Sequence, residues 1–236
     1  MAVPVVYQLD PSIDVPVIVG TATTWTVLQF VNNEGPPPGP APDSINALDS
    51  LALDRWEPTI GRASDITLYT VGAAGLVTTT AIGRHGHGGL AAPIVLLEGW
   101  SVTGFTVEIL KQATGRTRPF VSYNTPTADI LQAQAEHDAA MSFPSGHTAS
   151  VGLVSFTTAR MLSDTHMVPP VVAFAGATIV TASMGTMRVL AGMHYPPDVI
   201  VGGTIGACYG VMIPALHHGP VQVVAGPGGV AIVGPW

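Results

Sequence analysis

Eight residues carry most of the chemistry this chain offers: Lys111, Arg118, Ser145, Gly146, His147, Arg188, His194 and Asp198. They fall in three short segments, Lys111 to Pro119, Pro144 to His147, and Arg188 to Asp198. Together these supply three cations, a hydroxyl beside a glycine, and two histidines, the second followed by an aspartate. That inventory suits a tetrahedral oxyanion whose central atom is to be attacked. An arginine fork matches two oxygens at once, and a lysine is a compact point charge. Ser145 brings a hydroxyl donor. Gly146 brings a backbone N–H at a helix start, open to close approach because no Cβ intervenes. One histidine can serve as nucleophile while the other exchanges protons with the departing group. Spacing alone leaves open which histidine plays which part. Only eight Lys and Arg occur in 236 residues, and three lie in this set, which argues against solubilising decoration.

Read as K-x6-RP, PSGH and R-x5-H-x3-D, the segments resemble the three-part phosphatase signature of the type 2 phosphatidic acid phosphatase superfamily. That superfamily also contains vanadium-dependent haloperoxidases and soluble bacterial acid phosphatases. The resemblance runs from Lys111 to Asp198. It implies that His194 is the nucleophile, forming a phosphohistidine that water then hydrolyses, with His147 as acid and then base. Asp198 would accept from the other ring nitrogen of His194. Lys111, Arg118, Ser145, Gly146 and Arg188 would hold the phosphate. No metal and no cofactor are expected, since three cations suffice and no Asp/His cluster has convincing metal-ligand spacing. One position departs from the family pattern: Met187 stands where serine usually precedes the third-segment arginine, which puts one supporting hydrogen bond in question.

The elements that must position these residues look membrane-embedded. Charged residues make up 10% of the chain and apolar ones 47%, with a mean hydropathy of +0.43. A soluble domain carries about 25% charged residues. The net charge is −7 with no basic run, so nucleic acid is excluded as a partner. A spanning helix needs about 20 mostly apolar residues. Six segments qualify: Val15 to Val31, Ile66 to Gly83, Leu90 to Leu110, the PSGH motif to Leu162, Val168 to Met187, and Val199 to Leu216. The expected fold is therefore all-α, a six-helix transmembrane bundle forming one domain over residues 1–218, with residues 219–236 as a flexible tail. Counting crossings puts the ends of segments three and five, and the starts of four and six, on one membrane face. Neither the motifs nor the hydropathy required that agreement.

Smaller features complete the reading. Met1 to Gly20 carries only Asp10 and Asp14 as charges, so the first span would act as an uncleaved signal. Asp43 is placed to cap a short interfacial helix. Gly202, Gly206 and Gly210 recur at four-residue spacing, a pattern for close helix packing. Cys208 reads as a small core residue, and Arg84-His85-Gly86-His87 as a solvated turn. Glu98, a carboxylate inside a span, is either an interhelical partner or part of the site lining. Glu108 is placed to pair with Lys111 one turn on. Outside the motifs, Arg55, Arg62 and Arg116 lie on the motif side and Arg84 and Arg160 opposite, so positive charge does not orient the bundle. The resemblance implies a bacterial inner-membrane protein with an extracytoplasmic active face. The expected function is a phosphatase acting on a phosphomonoester or pyrophosphate of a membrane lipid. The alternatives are a vanadium-dependent haloperoxidase and a non-catalytic lipid-binding protein.

Overall fold

The computed structural model describes residues 6–30, 45–122, 127–135, 137–218, 222–226 and 229–233. Six long helices dominate: α1 (Pro11–Phe30), α2 (Pro58–Arg84), α3 (Ala91–Thr114), α5 (Gly146–Asp164), α6 (Pro170–Leu190) and α7 (Pro196–Leu216), with a short α4 (Ala128–Ala135) between α3 and α5. Their starts follow local chemistry. Pro58, Pro170 and Pro196 open α2, α6 and α7, where a fixed φ helps and the missing N–H costs nothing. Asp10 Oδ1 accepts from the Ser12 amide while Asp14 Oδ2 reaches back to the Asp10 amide, closing the start of α1. Gly115, at φ 54°, ends α3 in the left-handed conformation, its N–H bonding the Lys111 carbonyl at 2.9 Å.

Helix α5 is the axis of the bundle, packed by α7, α6, α2 and α3, whereas α1 lies against α3. Among the described residues, four helical stretches are long and apolar enough to cross a membrane: Pro58–Arg84, Ala91–Ser122, Pro170–Leu190 and Pro196–Leu216. The other two expected spans form helices of the right length but lower hydropathy. For α5 the reason is its central place, where neighbours rather than lipid cover a surface rich in Ser, Thr and Gly. Large apolar side chains stand outward instead, including Ile13 and Val19 on α1, Ile66 and Val77 on α2, Val171 and Ile179 on α6, and Ile200 and Met212 on α7. An apolar exterior over a small-residue interior is the pattern of a bundle in lipid.

The α5–α7 contact is backbone to backbone. A methyl carbon at Gly202 would overlap the Ser145 carbonyl, one at Gly206 the Ala149 carbonyl, and one at Gly210 would lie 2.8 Å from the Leu153 carbonyl. The glycine repeat therefore serves the monomer's own packing. Cys208 points away from that seam and is exposed, correcting the expectation of a core position; the α5-facing stripe of α7 is occupied by glycine. Asp43 lies outside the described residues, and the only helical turn nearby among those described is a 3-10 turn at Asp49–Ala52. Beyond α7, where the sequence suggested a flexible tail, Gln222–Gly226 pairs antiparallel with Gly229–Val233.

Gly206→Ala should lower the thermal midpoint in detergent, because its new carbon meets α5 backbone that cannot rotate away, at a cost of about 1–3 kcal/mol. Gly20→Ala on α1, with open space around it, is the matched control and should not lower it. Equal midpoints for both variants would contradict the close α5–α7 seam.

Candidate functional site

The ends of α3, α5 and α6, the turn between α6 and α7, and the first turns of α2 meet at one end of the bundle around a cavity of about 390 Å³. Lys111 reaches it from the last turns of α3, its Nζ within 3.9 Å of where a Gly146 Cβ would sit. Arg118 follows after the Gly115 turn and is buried. Its Nε donates to the Asp138 carbonyl at 2.8 Å, Nη2 pairs with the Asp138 carboxylate at 2.6 Å, and Nη1 points to His194 Nε2 at 3.5 Å. Arg188, at the end of α6, donates from Nη1 to Ser64 Oγ at 2.9 Å and lies 3.6 Å from Asp65 Oδ1. Its Nε is buried and has no partner among the described residues, a donor left for a ligand.

His194 sits in the α6–α7 turn, 1% exposed. Its Nδ1 donates to the Ser142 carbonyl at 2.6 Å, since a carbonyl can only accept. Nε2 is therefore the lone-pair nitrogen, and it faces Arg118 and the cavity. Burial, then the charges of Arg118, Arg188 and Lys111, push the imidazole well below its ordinary protonation range. A neutral ring with a free Nε2 is the nucleophilic form. His147, second residue of α5, is held by Asp65, its Nε2 lying 2.8 Å from Oδ1. At the rim, desolvation acts to raise the Asp138 carboxyl, but Arg118 and then Lys111 outweigh it and hold it at about 2. Its side chain nevertheless keeps 61% of its surface open, so solvent screens that pair and its share in stability is small.

Six of the eight expected residues line the cavity: Lys111, Arg118, Gly146, His147, Arg188 and His194. Two stand behind it. Ser145 is wholly buried as the cap of α5, its Oγ 3.0 Å from Thr148 Oγ1, so its hydroxyl is spent on the helix start and not offered to the cavity. Asp198 does not make the expected bond to His194; the two lie 3.8 Å apart, and the Ser142 carbonyl takes the ring N–H instead. Asp198 acts one step back. Its carboxylate accepts from Ser142 Oγ at 2.6 Å and the Tyr195 amide at 3.0 Å, and pairs with Arg116. It thus fixes the residue that fixes His194.

Several contributors went unread in the sequence. Asp65 and Ser64 lie in α2, far upstream of the motifs, and nothing in their spacing ties them to His147 or Arg188. Asp65 stands one residue before the second expected span. Ser64 supplies the hydroxyl that steadies Arg188, so that support does not depend on residue 187. Arg116 pairs with both Asp49 and Asp198 and stacks 4.2 Å over the Tyr195 ring. Glu98 is remote from the cavity and pairs across helices with His217, while Glu108 accepts from Gln112 at 3.2 Å.

Comparison with known proteins bears on the family and the fold. A family model described as the PAP2 superfamily matches residues 92–226. A lipid A 1-phosphatase of Rhizobium johnstonii is 35% identical over 47% of this chain and 41% of its own length. Another of the same description, from Rhizobium etli, is 34% identical over 49% of this chain and 46% of its own. The chain thus matches less than half the length of these relatives. The crystal structure of a transmembrane PAP2-type phosphatidylglycerolphosphate phosphatase from Bacillus subtilis superimposes with a TM-score of 0.55 at 15% identity, covering 85% of this chain and 96% of the other. That likeness is one of fold.

A buried neutral His194 makes stability depend on pH in a definite sense. The unfolded chain takes up a proton on this histidine below about pH 6.5, whereas the folded chain does not until well below that. The associated stability is present above that pH and is lost as the pH falls towards the folded-state value. The thermal midpoint should decline between about pH 7 and pH 5, and His194→Asn should flatten part of the decline. Identical slopes in the two proteins would show that His194 is not held neutral.

Proposed function

Since this chain belongs to the PAP2 superfamily, we propose that it is a membrane lipid phosphatase working through a phosphohistidine on His194. The observation that carries the reading is the convergence of a neutral, buried His194 Nε2 with Arg118, Arg188 and Lys111 on one cavity, opposite a histidine held by a carboxylate.

In this reading the phosphate enters with its oxygens towards the three cations and the free N–H groups at the start of α5. Charge spread over the equatorial oxygens in the transition state is met by groups already in place, which is where most phosphoryl-transfer catalysis originates. His194 Nε2 attacks phosphorus, the N–P bond forms, and the bond to the leaving oxygen breaks. With Nε2 of His147 engaged by Asp65, its Nδ1 is left to exchange a proton. It protonates the leaving oxygen and then takes a proton from the water that cleaves the phosphohistidine, the usual two-step use of one group. The Ser142 carbonyl holds His194 in the reactive tautomer throughout, and Asp198 holds Ser142.

The lipid character of the substrate is supported by the setting and by the relatives. The cavity opens beside helices whose outer surfaces are apolar, so acyl chains can stay in the bilayer while the head group meets the cations. The names of the two lipid A 1-phosphatases point to a phosphate group on a lipid. A polyprenyl pyrophosphate presents the same terminal phosphoryl group. We place the protein in a bacterial inner membrane with the cavity on the extracytoplasmic face and residues up to 218 acting as one domain.

Phosphate release from detergent-solubilised protein should be measured over phosphatidate, phosphatidylglycerol phosphate, lipid A 1-phosphate and undecaprenyl pyrophosphate. His194→Ala should lower turnover of the preferred substrate by more than about 1,000-fold. Asp65→Asn should lower kcat by about tenfold or more with little change in KM and a displaced pH profile, since it acts through His147. Turnover by His194→Ala at the wild-type rate would sink the mechanism.

A further inference from the structure

At the end of the bundle away from the phosphate cavity, three side chains from distant parts of the chain meet inside the protein. They are Asp14 in the first turn of α1, Glu98 in α3, and His217 just beyond α7, exposed by 6%, 7% and 8%. Nothing in the proposed phosphatase reaction uses them. His217 Nδ1 donates to the Ile213 carbonyl at 2.8 Å, which leaves Nε2 facing both carboxylates. Asp14 Oδ1 lies 3.3 Å from it and Glu98 Oε2 3.1 Å.

Hydrogen bonding does not satisfy this cluster. Nε2 carries one hydrogen at most, and two carboxylate oxygens compete for it. Glu98 Oε2 is buried and aimed at the cluster, and beyond its ion pair with His217 it has no hydrogen-bond partner among the described residues. Even with the imidazole protonated, two carboxylates against one cation leave a negative charge in a buried place, which is costly. A divalent cation removes both problems, neutralising the carboxylates and drawing on a lone pair at Nε2.

The geometry fits such an ion. The three donor atoms lie within 4.8 Å of one another. Bonds of about 2.0–2.1 Å to nitrogen and oxygen put neighbouring tetrahedral ligands about 3.3–3.4 Å apart, close to the two separations from Nε2. The surroundings resemble those of a metal-binding histidine, which commonly gives its second N–H to a carbonyl that fixes ring and tautomer. Asp14 is steadied in the same way, its Oδ2 accepting from the Asp10 amide at 2.7 Å.

We propose that Asp14, Glu98 and His217 form a binding site for one divalent transition-metal ion of the zinc class, with water completing its coordination. One imidazole and two carboxylates suit zinc or a neighbouring first-row ion and are too few and too nitrogenous for calcium or magnesium. The ion joins α1 and the end of α7 to α3. Helix α1, which otherwise rests on α3, is thereby tied to the rest of the bundle.

The test uses full-length protein in detergent, stripped with a chelator, reloaded and desalted. Elemental analysis should find about one zinc per chain, and Co2+ in its place should show the visible absorption of a tetrahedral site. Zn2+ should raise the thermal midpoint, and Mg2+ should not. Glu98→Gln and Asp14→Asn, close in shape to the originals, should each weaken Zn2+ binding at least about tenfold while eluting as the wild type does on size exclusion. The double variant His85→Ala, His87→Ala removes other histidines of the same bundle end and should bind as the wild type does. Wild-type protein without bound zinc would overturn the proposal, leaving a buried imidazolium between two carboxylates. Undiminished binding by Glu98→Gln and Asp14→Asn, or loss only in the double histidine variant, would overturn it equally.

Discussion

The working end of the bundle depends on one buried carboxylate. Asp198, wholly enclosed at the start of α7, gathers the Ser142 hydroxyl, the Tyr195 amide and the Arg116 guanidinium, while its own carbonyl accepts from the Ser145 amide at 3.0 Å. Those contacts draw together the chain after α3, the approach to α5 and the α6–α7 turn. Hydrogen bonds to a charged group are worth about 1.5–3 kcal/mol each, and a buried charge stripped of a partner costs more. The pieces therefore cannot shift singly. Through Ser142 the same carboxylate sets the tautomer of His194, so structural and chemical roles coincide in one side chain.

The glycine seam of α7 provides the frame for that arrangement. Because Gly202, Gly206 and Gly210 let α7 lie on the backbone of α5, the two helices begin side by side at the same face. At the start of α5, unsatisfied N–H groups and the positive end of the helix dipole then favour an anion. Lys111, Arg118 and Arg188 add full charges to those partial ones. In a chain with so few basic residues, the positive field is concentrated where it is used.

Much of this was legible in the residues. The motif spacing named the cavity's cations and histidines, and the hydropathy placed them at helix ends; crossing parity then put those ends on one face. These features are local or periodic, and one-dimensional order preserves them. Less legible were the partners that hold the motif residues. Asp65 is separated from His147 by the whole of α3, and Ser64 from Arg188 by most of the chain. Cys208 misled because hydropathy does not say which side of α7 meets protein and which meets lipid. The resemblance implied a bond from His194 to Asp198, whereas the capping geometry of α7 turns the carboxylate towards Ser142.

What the sequence by itself determined was the chemical inventory and the helical, membrane-embedded setting, because residue type, spacing and hydrophobic length are properties of the linear chain. Only the tertiary structure decided which groups face the cavity and which stand behind it. It assigned the Ser145 hydroxyl to a helix cap, left the Arg188 Nε donor open, and brought Asp14, Glu98 and His217 to one buried point. Those outcomes depend on how helices pack and rotate against one another, and that rotation is settled by contacts between residues far apart in sequence.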